Sequence, residues 1–98
     1  MNTIILSERQ TIENAQELKE DILAALDHAE PPVVDAAEVA QIDTATLQLL
    51  AVLWRSSVRA GNPPRLERPS REFIRTAALL GLDGMFGLKP GAPGHPQA

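Results

Sequence analysis

Cysteine is absent from this chain, and so is tyrosine. Without cysteine there are no disulfides, no thiolate metal sites and no cysteine nucleophile, which agrees with a reducing compartment. Aromatic residues make up 3%. The three present, Trp54, Phe73 and Phe86, stand in apolar patterns typical of a core, and with a net charge of −4 this weighs against nucleic-acid binding. No apolar run approaches the roughly 20 residues needed to span a bilayer. The opening MNTIILSERQ lacks the basic flank and long apolar centre of a secretion signal, so a soluble cytoplasmic protein without membrane insertion is expected. Of the two histidines, His28 and His95, neither has a second ligand at metal spacing, and neither is placed to activate a hydroxyl. The glycines of GLDGMFGLKPG lack the strand-then-helix context of a phosphate loop. No metal, other cofactor or catalytic residue is expected.

What remains is enough for one domain. Ninety-eight residues, 44% of them hydrophobic, suit a single modest core and are too apolar for a disordered chain. Charge is divided along the sequence. Residues 1–49 hold ten acidic and two basic side chains, residues 50–98 three and seven. Such polarity makes two solvated surfaces of opposite sign, or a surface that orients a protein partner. Arg55 and Arg59, and Arg71 and Arg75, are i,i+4 pairs that each line one helix face.

TIIL and QTI, separated by Ser7-Glu8-Arg9, read as a short β-hairpin. Asn14 followed by Glu17 resembles a capping box. Leu18, Ile22, Ala25 and Leu26 form one apolar stripe, and Pro31-Pro32 stop the helix, placed at about residues 15–28. Val33-Val34 is β-branched and apolar, as expected of a strand buried on both faces. The segment TLQLLAVLWRSSVR has apolar residues over more than one narrow stripe, so the helix is largely buried or offers a spare face to a partner. Within it Trp54 fits the core better than an interface. Residues 65–67 form another strand, and Ser70 caps a third helix over Phe73, Ile74, Ala77 and Leu80. LDGMFGL adds a last apolar turn. Residues 89–98, rich in proline and glycine, are expected to be a disordered tail after a domain over 1–88. The order β-β-α-β-α-β-α, with two crossovers, makes an α/β domain of about four strands in a mixed sheet.

The polar residues of AQIDTATLQLL carry the functional expectation. Asp35 ends a strand, and Asp43 and Thr44 open the second helix. All three are expected to converge at the carboxyl edge of the sheet, where open α/β sheets place functional groups. Capping is the plain use of Asp43 and Thr44. A capping hydroxyl also lies beside unpaired amides and the positive end of the helix dipole, which favour an added phosphate. Phosphorylation of Thr44 adds about −1.5 to −2 charges beside Asp43, and a partner packed there cannot desolvate such a dianion.

With Val33-Val34-Asp35 before it and RPSREFIRTAALLGL after it, IDTATLQLL resembles the STAS domain family of anti-sigma-factor antagonists. The resemblance covers roughly residues 3–88. Asp43 matches the family's aspartate, Thr44 its phosphorylatable hydroxyl, Ala45 its small residue and Leu47 its leucine, while Thr46 stands where glycine is usual and adds a side chain to the first turn. The resemblance implies a small non-enzymatic STAS-type domain, monomeric or weakly dimeric, that binds a protein partner through Asp35, Asp43, Thr44, Thr46 and Leu47. That partner is a histidine-kinase-like anti-sigma factor and kinase, released when Thr44 is phosphorylated, or an ABC-type ATPase. Two variants stay open: small STAS proteins of bacterial chemotaxis-type signalling clusters, and the STAS subunit of a lipid-transport ATPase. In either, the domain can be a constitutive scaffold with Thr44 only a helix cap.

Overall fold

The computed structural model describes residues 2–88; the tail expected over 89–98, with His95, lies outside the described residues. Five short strands and three helices follow in the order β1 (Thr3–Ile5), β2 (Arg9–Gln10), α1 (Ala15–Leu26), β3 (Val33–Asp35), β4 (Gln41–Ile42), α2 (Thr44–Arg59), β5 (Arg65–Glu67) and α3 (Arg71–Leu79). The α/β class and three helices are as expected, but every strand pairing is parallel.

The central sheet has the order β1-β3-β5, with Thr3 opposite Val33 and Val33 opposite Arg65. The hairpin expected at residues 3–12 does not form. After β1 the chain continues past Ser7 and pairs β2 in parallel with β4, Arg9 opposite Gln41 and Gln10 opposite Ile42. A fifth strand therefore stands where the sequence suggests only a connection. The partner offset grows from 30 positions at Thr3–Val33 to 32 at Arg9–Gln41, so the β3–β4 side carries two extra residues. The second pair is thereby set off from the first as a separate two-stranded ladder.

Side chains alternate across the central sheet. Ile4 and Val34 are buried, and Leu66 packs against the same core. Thr3, Ile5, Val33, Asp35, Arg65 and Glu67 line a groove on the other face, where Ile5 is 70% exposed. Val33-Val34 is thus buried on one face rather than two.

The helices cover the inner face. Leu18, Ile22 and Ala25 of α1 meet Leu47, Leu50 and Leu53 of α2 in one cluster with Phe73 and Ala77 of α3. Trp54 is core, as expected, and Phe86 from the turn after α3 makes a T-shaped contact with it at 4.8 Å between ring centroids and lies 5.5 Å from Phe73. Such aromatic pairs contribute about 0.5–1.5 kcal/mol beyond the area they bury.

Helix boundaries follow local chemistry. Ser70 caps α3, its Oγ accepting the Phe73 N–H at 3.1 Å. Gly61 and Gly81 take positive φ just past α2 and α3, where only glycine escapes a Cβ penalty. The start of α1 differs from expectation: Asn14 makes no capping bond there. The reciprocal box lies one turn earlier, around a 3-10 turn over Ile12–Asn14. Thr11 Oγ1 accepts from Glu13, and Asn14 Oδ1 accepts the Thr11 N–H at 2.9 Å. At the other end of α1, the buried Asn2 side chain donates to the carbonyls of Ala25 at 3.0 Å and Glu30 at 2.9 Å, tying the helix end to β1.

Candidate functional site

The candidate site is the start of α2. Gln10 of β2 fixes the approach, its carbonyl accepting the Asp43 N–H at 3.2 Å. Asp43, in extended backbone, is the N-cap, and its Oδ1 accepts the Thr46 N–H at 2.9 Å. The Leu47 N–H then makes the first intrahelical bond, to the Asp43 carbonyl at 3.2 Å. The amides of Thr44 and Ala45 belong to this first turn and have no intrahelical acceptor. Both residues are exposed, and the Thr44 hydroxyl makes no hydrogen bond among the described residues.

That arrangement corrects one expectation. Capping belongs to Asp43 alone; Thr44 is the first helical residue and caps nothing. Its hydroxyl stands at the water-facing tip of a helix whose inner face is apolar.

Thr46 and Leu47 are fully buried and present no surface to another protein. The Thr46 hydroxyl lies 2.8 Å from Asp43 Oδ1 and 3.1 Å from the Gln10 carbonyl, and its one proton serves either acceptor. The helical period explains the inward turn, since Thr46, Leu47 and Leu50 share a face. The side chain that replaces the family's glycine therefore adds nothing to the outer surface.

Partial burial pushes the Asp43 carboxyl up, but the Thr46 amide and hydroxyl, the Ile12 amide and its own amide outweigh this and hold it below the usual carboxylate range. Asp43 is accordingly ionised beside Thr44 near neutral pH. Gln10 and Ile12, the other supports, contribute through backbone atoms, which no side-chain pattern reveals.

Asp35 does not join this cluster. Its carboxylate is bound by Arg68 and by the Ala37 N–H at 3.0 Å, and these bonds hold it below its ordinary range. None of its partners is shared with Asp43. The β3–β4 segment carries the chain away from the edge where β3 ends before α2 begins. Arg68, which no sequence pattern singles out, is the missed member here. It follows β5 directly, and β5 lies beside β3 with Glu67 opposite Asp35. Its φ of 49° is a left-handed conformation that costs a side-chain-bearing residue about 1–2 kcal/mol.

No group of three or more metal-ligating side chains occurs among the described residues, and no helix there is long and apolar enough to cross a membrane. The Nδ1 of His28 accepts the Glu30 N–H at 3.1 Å.

Comparison with known proteins decides the family. The model of a family described as "Mlab, STAS domain" matches residues 2–89. The chain belongs to the STAS domain family. Among solved structures, this STAS domain resembles a candidate anti-sigma factor antagonist from Thermotoga maritima, with a TM-score of 0.71, 23% identity, and coverage of 85% of this chain and 74% of that one. At that identity the likeness establishes the fold. No curated protein matches the sequence.

Proposed function

We propose that this STAS domain is a non-enzymatic protein-binding module resembling anti-sigma-factor antagonists, whose contact surface is the start of α2 with the preceding loop, residues 37–50. Phosphorylation of Thr44 switches its binding to a kinase- or ATPase-type partner. One observation carries the reading: the Thr44 hydroxyl is exposed, free of hydrogen bonds among the described residues, and adjacent to the ionised Asp43.

The physics of a switch follows from those neighbours. A phosphoryl group on Thr44 is attracted by the amides of the first turn and the helix dipole and repelled by Asp43. Within the domain these effects offset one another, so the fold tolerates the modification. At an interface the dianion must shed its water without a counter-charge, which a closely packed partner does not supply. Of the expected contact residues, Asp43 and Thr44 remain on this surface; Asp35 supports the neighbouring strand end, and Thr46 and Leu47 support α2 from within.

A second reading makes the domain a constitutive accessory subunit, of a chemotaxis-type cluster or a lipid-transport ATPase, with Thr44 never modified. The inward-turned Thr46 favours it, because its amide and hydroxyl are satisfied within the chain without any modification. Intact-mass analysis and fragment mapping of the protein from its own cells separate the two. One added phosphoryl group on Thr44 supports the switch; its absence under every growth condition supports the accessory subunit.

A further inference from the structure

The arginines of this domain divide into two groups. Arg9, Arg65, Arg68 and Arg75 each pair with a carboxylate of the same chain. Arg55, Arg59 and Arg71 have no acidic partner among the described residues, and Arg55 and Arg59 stand one turn apart in the second half of α2. Those two flank a groove of about 380 Å³ whose other walls are Trp54, Val58 and Met85. Arg55 also borders a second depression formed by Val52 with Leu80 and Leu82 of the segment after α3. Val58 is 56% exposed and Val52 45%, so an apolar cleft and a mixed one meet at one unpaired guanidinium.

We propose that this groove docks an acidic amphipathic segment of a partner protein, with an apolar side chain in the cleft beside Trp54 and carboxylates on Arg55 and Arg59. Charge complementarity selects that occupant. A chain with a net charge of −4 leaves two i,i+4 guanidiniums unpaired on either side of an apolar cleft. A carboxylate pair meets such guanidiniums with bidentate hydrogen bonds. A second copy packed face to face brings its own arginines to the same place and is disfavoured.

The groove shares a face with Thr44. Thr44, Gln48, Val52, Arg55 and Arg59 recur at helical spacing and are all exposed, with about 16 Å of helix rise between Thr44 and Arg55. The proposal thus rests on the reading that this side of α2 meets a partner, and it names the chemistry at the far end of that contact.

Trp54 is the chain's only tryptophan and reports directly on the groove. The test titrates the full chain with two synthetic amphipathic helical peptides of identical leucine spacing, one flanked by glutamates and the other by lysines, while following Trp54 emission. The expected result is a saturable shift with the glutamate peptide alone, weakened at least tenfold in Arg55→Gln/Arg59→Gln and weakened in Val58→Ser. Equal binding of both peptides, no shift with either, or a double variant that binds as wild type overturns the proposal. So does an oligonucleotide that displaces the glutamate peptide, since it makes the arginines phosphate contacts. Failure of the peptide with a native partner still sensitive to Thr44→Glu removes the groove and spares the switch; peptide binding with a native partner insensitive to Thr44→Glu does the reverse.

Discussion

One oxygen of Asp43 holds the start of α2: Oδ1 receives both the Thr46 N–H at 2.9 Å and lies 2.8 Å from the Thr46 hydroxyl. Replacing Asp43 by alanine removes the cap and leaves the Thr46 amide unsatisfied. The unfolding midpoint in urea is expected to fall by an amount equal to about 1–2 kcal/mol of stability. Because the Thr44 hydroxyl caps nothing, Thr44→Ala is expected to change stability by less than about 0.5 kcal/mol. The contrast between the two variants checks which residue is the cap.

The same carboxylate sets a pH dependence. In the folded protein Asp43 loses its charge at lower pH than in the unfolded chain, so its contribution is complete above the unfolded-state value. It is lost as pH falls through the folded one. Urea titrations from pH 6 down to pH 2.5 are expected to show stability falling on the acid side, with a shallower fall in Asp43→Asn. Some slope persists in that variant, because Asp35 and Glu72 are also held below their ordinary range by Arg68 and Arg75.

Thr46→Val keeps the shape and deletes the buried hydroxyl. The Gln10 carbonyl retains the Asp43 N–H and Asp43 retains the Thr46 N–H, so a loss of about 1 kcal/mol is expected, with partner affinity unaltered. Thr46→Gly adds about 0.3 kcal/mol of helix cost relative to threonine, deletes the buried hydroxyl and opens space in the core. Equilibrium unfolding ranks the two, and glycine is expected to be the less stable.

Ser57 behaves in the opposite sense. Its hydroxyl is buried and has no hydrogen-bond partner among the described residues. An unsatisfied polar group at such a position carries a desolvation penalty of about 1–3 kcal/mol, and Ser57→Ala removes it while favouring the helix. The thermal midpoint of Ser57→Ala is expected to rise; a fall shows that the hydroxyl is satisfied in solution.

Much of this architecture is legible in the sequence because its signals are long. Sixteen residues of α2 carry a clear apolar period, proline and glycine mark its end, and helices between strands force parallel crossovers. The strands are two or three residues long, too short for any period to declare a partner. Ser7-Glu8-Arg9 therefore looks like a hairpin turn, although β2 runs on to pair with β4. The same limit hid β4, and with it the separation of Asp35 from Asp43. At the site, Asp43 and Thr44 are readable from type and position. Gln10 and Ile12 act through backbone groups, and the clasp of Arg68 on Asp35 joins residues 33 positions apart in sequence.

The account depends on Thr44 being a surface hydroxyl that a bound partner must cover. Calorimetric titration of the native partner into wild type, Thr44→Ala and Thr44→Glu tests this most directly, once circular dichroism shows all three equally folded. At least a tenfold loss of affinity is predicted for Thr44→Glu, with Thr44→Ala close to wild type. Equal affinity for all three proteins contradicts it.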